Sequence, residues 1–253
     1  MNNIKVIVPA YNCEKWIGKT IESIKKQTYK NFECVVIDDI STDATPSIIR
    51  NAIEDDGRFS AIINMEKKYA LKNIYDGIKS ISSDDEDIII TIDGDDWLSD
   101  EFVFEKINNV YEEKKCLITY GSFVEYPSGF CHALFLEPYP SSVLENNLFR
   151  NVAWRASHLR TFKKKLWDKI KLSDLIDPTT NEFYEVAWDL SFMYPMLEMA
   201  GTRSEHIKDR IYVYNKQNPL SDMYIKERQQ LECAAEIKRK PKYLTIDFDE
   251  VEN

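Results

Sequence analysis

The sequence predicts an α/β fold with a parallel central sheet and helices on both of its faces. Three observations predict it. Short β-branched runs alternate with segments of helical period through the first hundred residues. These runs are apolar almost throughout, as strands buried on both faces must be. They also end in polar or acidic clusters, and parallel sheets bind ligands beyond the carboxyl ends of their strands.

Ile4 to Val8 is the first buried strand, with Pro9 ending it. Glu14 to Gln27 follows as a helix, its stripe made by Trp16, Ile17, Ile21 and Ile24. Phe32 to Ile37 is the second strand, ended by Asp38 and Asp39. Thr42 or Asp43 then caps a helix to about Ala52, with Pro46 in its first turn. Arg58 to Ile63 is a third strand and Tyr69 to Ile81 a third helix. Ile88 to Ile92 is the fourth strand, too short for a convincing helix. A helix near Phe102 to Glu113 and a strand near Leu117 to Phe123 continue the pattern.

Beyond that the alternation loosens. Residues 126 to 142, rich in Pro, Ser and aromatics, suit a loop or irregular strands over a site. A segment at Leu144 to Phe149 and a basic stretch from Arg160 to Trp167 follow. Next come a helix at Trp188 to Ala200 closed by Gly201, and a strand near Arg210 to Tyr214. A polar helix spans Asp222 to Lys238, and the acidic tail from Asp247 to Asn253 is expected to fray.

Composition narrows the function classes. The 253 residues are 43% apolar and 30% charged, which describes a globular protein with ample core. A formal charge of −10 argues against a broad nucleic-acid surface. The basic clusters Lys163 to Lys165 and Lys238 to Lys242 read as solvated helix faces or ends. Five scattered cysteines without C-x-x-C spacing suggest reduced thiols and a cytoplasmic location, with no disulfide framework or zinc site. The N-terminus enters a strand without a signal peptide, and no apolar stretch approaches the roughly 20 residues of a membrane helix. Peripheral contact with a membrane stays open. No Gly-x-Gly-x-x-Gly or Walker loop is present, which counts against dinucleotide and P-loop proteins.

The most informative stretch joins Ile88 to Ile92 to Asp93, Gly94, Asp95 and Asp96. Three carboxylates so close repel one another unless a cation sits among them. Asp93 and Asp95, two apart, would share one side of an extended chain, while Gly94 permits a turn or a close approach. Hard oxygen ligands suit Mg²⁺ or Mn²⁺ held jointly with phosphates. Read alone, the same acids make a strand-to-helix turn, with Asp96 or Ser99 capping the next helix.

The assembled motifs resemble the inverting, metal-dependent glycosyltransferases of family 2, which have the GT-A (nucleotide-diphospho-sugar transferase) fold, Rossmann-like with a mixed, mainly parallel central sheet and helices on both faces. The resemblance covers most of residues 3 to 222 and is strongest over 4 to 97. It is carried by Val6 to Asn12, Ile21 to Tyr29, Phe32 to Asp43, Lys72-Asn73 with Gly77, and Ile92 to Asp96. The order and spacing of these pieces, rather than any single one, are specific. The resemblance divides the chain into a nucleotide-sugar-binding half (1–125), an acceptor-binding half of the same domain (126–222), and a C-terminal helix with an acidic tail (223–253).

It also assigns roles. Pro9, Ala10, Tyr11 and Asn12 line the nucleotide, and Asp39 bonds the base, usually uracil; on the residues alone Asp39 is also a capping acid. Glu14 contacts the nucleotide or, equally, stabilises a helix dipole, and Lys72 faces the nucleotide or solvent. Asp93-Gly94-Asp95 is the DXD motif, with Asp93 near the ribose and Asp95 bridging Mn²⁺ or Mg²⁺ to the diphosphate. The base should be a carboxylate of a Glu-Asp pair, but Val186 and Ala187 stand at the pair's places. Asp189 is then the candidate base and Glu185 the alternative. Arg155 to Phe162 resembles the His-x-Arg-x-Phe segment, which puts His158 and Arg160, with Trp188, beside the acceptor. Spacing alone makes His158 a poor metal ligand. Asn215 and Asn218 lie in the closing segment, and Trp97, Tyr126, Trp154 and Trp188 include candidates for stacking on a sugar.

The expected partners are a nucleotide-sugar donor, most often a UDP-sugar, and a glycan, lipid-linked or protein acceptor in glycan biosynthesis. A phosphatase would carry its Asp-x-Asp after the first strand, and a nucleotidyltransferase would have a Gly- and Arg-rich loop there; this chain has neither. The altered Glu-Asp pair leaves one non-enzymatic alternative, a GT-A domain that binds nucleotide-sugar or glycan without turnover.

Overall fold

A computed structural model describes residues 2–81, 84–220 and 226–248. Strands β1 (Ile4–Ala10), β2 (Phe32–Asp38), β3 (Phe59–Ile63) and β4 (Ile88–Thr91) alternate with helices α1 (Ile17–Lys25), α2 (Thr45–Ile53) and α3 (Tyr69–Ile81). The chain continues through β5 (Trp97–Leu98), α4 (Val103–Lys114), β6 (Ile118–Tyr126) and α5 (Ser141–Glu145). It then forms β7 (Arg160–Lys163), α6 (Lys164–Trp167), a small hairpin of β8 (Ile176–Asp177) and β9 (Glu182–Phe183), α7 (Trp188–Ala200), β10 (Ser204–Asn215) and α8 (Glu227–Arg239). Residues 222–225 of the expected last helix and 249–253 of the expected tail lie outside the described residues.

One sheet runs in the order β3-β2-β1-β4-β7-β6-β10-β5. β3, β2, β1 and β4 pair in parallel, as do β6 and β10. β7 is antiparallel to both β4 and β6, and β5 lies antiparallel on β10, so the sheet is mixed. Alternate residues feed two cores. Val6 and Val8 pack with Ile17, Ile21 and Ile24 of α1, whereas Ile7 and Ile37 pack with Leu71, Ile74 and Ile78 of α3. Helix and sheet come close at Gly77, where a Cβ would stand 2.8 Å from Ile7 and Ile37 side-chain atoms.

Three expectations are corrected. Pro9 does not end β1, which pairs with β2 as far as Ala10. The carbonyls of Ile7 and Pro9 accept from Ile92 and Gly94, so the strand goes on bonding through its carbonyls although Pro9 has no N–H to give. Neither Asp96 nor Ser99 caps a helix, because β5 intervenes and Asp100 accepts from the Phe102 N–H ahead of α4. Lys163 is a buried β7 residue instead of part of a solvated face; its ammonium donates to Asn2 Oδ1 at 2.7 Å and the Glu86 carbonyl at 2.6 Å.

Helix α7 is buried along almost its whole length, including Glu198. Arg150 clamps that carboxylate with two bonds of 2.5 and 2.9 Å, and its Nη1 donates at 2.6 Å to the carbonyl of Ile237 in α8. The Tyr243 N–H also donates to Glu198, at 3.0 Å. A buried ion pair is tolerable when the remaining polar atoms are satisfied in this way. The last described residues thereby fasten α7. No helix among the described residues is long and apolar enough to cross a membrane.

Candidate active site

The acidic stretch does not continue extended beyond β4. It closes as a turn, with the Asp96 N–H donating to the Asp93 carbonyl at 3.0 Å. The Gly94 N–H donates to the Pro9 carbonyl at 3.0 Å, and a Cβ at Gly94 would lie 2.9 Å from that oxygen. The turn can therefore sit against the end of β1 only with glycine there. A carboxylate oxygen of Asp93, one of Asp96 and a ring nitrogen of His158 lie within 4.8 Å of one another.

Asp96 is buried beneath the turn, where its carboxylate accepts from the Tyr212 hydroxyl and the Asn215 N–H, both at 2.7 Å. The Tyr212 hydroxyl in turn accepts from the Asp93 N–H at 3.2 Å. Burial, then the charges of Asp95 and Asp93, push the Asp96 carboxyl well up against these bonds. Asp95 accepts from the Asn218 amide at 2.7 Å, and its carbonyl accepts from the Asn215 amide at 3.1 Å. Burial raises its carboxyl too, with the Asn218 bond opposing.

Asp39 sits past the end of β2 and binds the start of α3. Its carboxylate accepts from the Lys68 and Tyr69 N–H groups, each at 2.8 Å, and from Asn64 Nδ2 at 2.9 Å. Lys67 forms an ion pair with it at 3.2 Å and lies 2.8 Å from the Tyr11 ring centroid. Burial would raise the Asp39 carboxyl, but the bonds from Asn64 and Lys68 and the Lys67 charge hold it below its usual range. The capping role that the residues allow is therefore present, and Asp39 also lines the cavity.

On the other side stand α7 and β7. Asp189 lies in the first turn of α7, with the Arg160 guanidinium 3.5 Å from it and over the Trp188 ring. Glu185 is paired with Lys226 at 2.8 Å. His158 is buried and stacks on Tyr212 with centroids 4.7 Å apart and planes 3° from parallel. Burial, then the Arg160 charge, pull its imidazole well below the ordinary value.

These groups share one cavity of about 550 Å³. Pro9, Ala10, Tyr11, Asp93, Gly94 and Asp95 line it, as do His158, Arg160, Glu185, Trp188 and Asp189. Three predicted site residues do not. The Asn12 and Glu14 side chains accept from the Thr42 and Ala44 N–H groups ahead of α2, each at 2.8 Å, and Lys72 pairs with Asp76 along α3. Of the candidate platforms, Trp154 and Trp188 line the cavity, whereas Trp97 packs on Tyr126 away from it. Lys67 and Tyr69 line it without having been predicted; both follow β3, at the rim where ligands of such sheets bind, and that position was the available signal. Tyr212 lies in the strand expected near Arg210 to Tyr214, at the start of the segment resembling the family's closing one, but its role was not legible there, since it depends on β10 passing under the turn.

Comparison with known proteins bears on the family and the fold. The family model for glycosyl transferase family 2 matches residues 5–180. Glycosyltransferase GlyA of Streptococcus pneumoniae is 27% identical over 222 residues, 84% of this chain and 30% of that protein. The UDP-Glc:alpha-D-GlcNAc-diphosphoundecaprenol beta-1,3-glucosyltransferase WfaP of Escherichia coli is 34% identical over 160 residues, 54% of this chain and 61% of that protein. The chain thus spans less than two thirds of the length of either relative. Among solved structures, S. aureus TarS in complex with UDP-GlcNAc has a TM-score of 0.63 at 20% identity, covering 85% of this chain and 59% of that one. A mannosyltransferase from Pyrobaculum calidifontis in complex with GDP-Man and Mn²⁺ has a TM-score of 0.66 at 21% identity, covering 95% and 65%. With its mixed sheet flanked by helices and its match over residues 5–180, this chain belongs to glycosyl transferase family 2 and has the GT-A fold.

Proposed function

We propose that the protein transfers a sugar from a nucleoside-diphosphate sugar, a UDP-sugar in preference, to an acceptor hydroxyl with inversion at the anomeric carbon. The observation that carries this reading is the shared cavity. It joins Asp39 and Tyr11, suited to a nucleoside, with Asp93 and Asp95, and with Asp189 next to Trp188. The DXD reading of Asp93-Gly94-Asp95 is part of the proposal.

The acids fit a divalent ion. Asp93 and Asp95 both line the cavity, Asp96 places an oxygen near Asp93, and oxygen donors of this kind suit Mn²⁺ or Mg²⁺. Such an ion, when bound, neutralises charge gathering on the leaving diphosphate. The chain's own groups do the rest. Asp39 and the Pro9-to-Tyr11 segment hold the nucleoside. Asp189 accepts the proton of the acceptor hydroxyl as its oxygen bonds the anomeric carbon and the bond to the diphosphate oxygen breaks. Glu185 is the weaker base candidate because Lys226 holds it at 2.8 Å, closer than the 3.5 Å between Arg160 and Asp189. Asp189 reaches the cavity although the expected Glu-Asp pair is altered, which favours turnover over binding alone.

The relatives suggest the donor and acceptor. A UDP-glucose-dependent enzyme acting on a diphosphoundecaprenol-linked sugar favours a lipid-linked saccharide acceptor here, reached by peripheral membrane contact at the cytoplasmic face. The five free cysteines support a cytoplasmic location. Incubation with UDP-glucose, UDP-GlcNAc and GDP-mannose in Mn²⁺ tests the reading by following nucleotide release with and without saccharide acceptors. Release from none of the three would reject it.

A further inference from the structure

We infer that Arg160 is a positioning residue that fixes His158 as a neutral imidazole protonated on Nδ1, and so keeps His158 a hydrogen-bond donor rather than a metal ligand, while it orients Asp189. Proximity alone groups His158 with Asp93 and Asp96 as a third ligand. The hydrogen bonding opposes that grouping.

Arg160 Nη2 lies 3.2 Å from His158 Nε2 and 3.5 Å from Asp189 Oδ2. A guanidinium has donors and no acceptor, so Nε2 must supply its lone pair to Arg160. The ring proton then belongs on Nδ1. A doubly protonated ring would set an N–H against the guanidinium. With Nε2 engaged and Nδ1 protonated, neither nitrogen has a lone pair for a cation. His158 cannot turn to escape this. It is stacked on Tyr212, lies 5.4 Å from the Tyr214 ring and meets the edge of Phe123 at 5.8 Å.

Nδ1 is buried without a hydrogen-bond partner, as are Nε and Nη1 of Arg160. Three shielded donors beside the cavity are costly unless an acceptor arrives. Arg160 Nη2 thus stands between two ends of the site, 3.2 Å from the His158 ring nitrogen and 3.5 Å from the Asp189 carboxylate. The Asp189 part of the inference rests on the transferase reading, and the His158 part does not.

The test begins on the unaltered protein. Long-range ¹H–¹⁵N spectra of the histidines, with His158→Gln for assignment, should show His158 protonated on Nδ1. In Arg160→Gln that preference should be lost. Pulsed EPR of the protein with Mn²⁺ alone should show no histidine nitrogen coupled to the ion. A ring protonated on Nε2, or a nitrogen coupling that disappears in His158→Gln, would overturn the inference. In kinetics, Arg160→Gln should lower kcat for transfer by about tenfold or more, leave the donor KM within about twofold, and be partly rescued by Arg160→Lys. Unchanged kcat would remove the link to Asp189. An unaltered protein that transfers to no acceptor, yet shows the Nδ1–H ring, would reject the proposed function and uphold the His158 assignment.

Discussion

The Tyr212 hydroxyl donates a 2.7 Å hydrogen bond to the Asp96 carboxylate, so strand β10 is pinned beneath the acidic turn by one buried oxygen. The same oxygen accepts from the Asp93 N–H. Tyr212→Phe leaves both groups short of a partner. We expect it to lower unfolding stability by about 1–3 kcal/mol. Urea midpoints at constant m would measure this, and a loss below about 0.5 kcal/mol would mean that water takes over the hydroxyl's bonds.

Asp189→Asn tests the base. An amide has no basic oxygen, so transfer should fall by about 10²–10⁴-fold while UDP affinity in Mn²⁺ stays the same. Equal turnover by the variant would take Asp189 out of the mechanism.

Cation binding should be visible without turnover. Mn²⁺ with UDP should raise the melting temperature, since a ligand at a hundred times its Kd adds about 2.7 kcal/mol. Asp95→Ala should abolish the Mn²⁺-dependent part of UDP binding. Equal UDP affinity in Mn²⁺ for the two proteins would assign the ion elsewhere.

A pH dependence follows from Asp39. Its carboxyl is lower in the folded chain than in the unfolded one, so its contribution is complete above the ordinary carboxylate value of about 3.9. The contribution is lost as pH falls through the lower folded value. Asp39→Asn should therefore be less stable than the parent at pH 7, and the gap should close only in strong acid. A gap independent of pH down to about 2 would mean that shape rather than charge matters at this position.

The first four strands and α3 were legible because single local patterns specify them; Tyr69 to Ile81 is matched end to end. β7 was not legible. In sequence its Lys163 looks solvent-bound and its Arg160 reads as a site residue rather than a strand residue, and only the insertion between β4 and β6 buries them. The site divides the same way. Asp39, Asp93 and Asp95 lie at strand ends, where sheet topology alone brings them to the rim. Glu14 and Asn12 lie as near to that rim in sequence, yet their side chains are spent on the N–H groups ahead of α2. Local spacing cannot report which acids are already engaged by the backbone.

The clamp of Arg150 on Glu198 carries a practical consequence for anyone trimming or fusing this chain. Ending it before Lys226 would strip Arg150 of its Ile237 carbonyl and Glu198 of its Tyr243 amide, far from the chemistry. The proton-accepting carboxylate would ride on a loosened helix, and a tag boundary chosen for convenience would be mistaken for a catalytic defect.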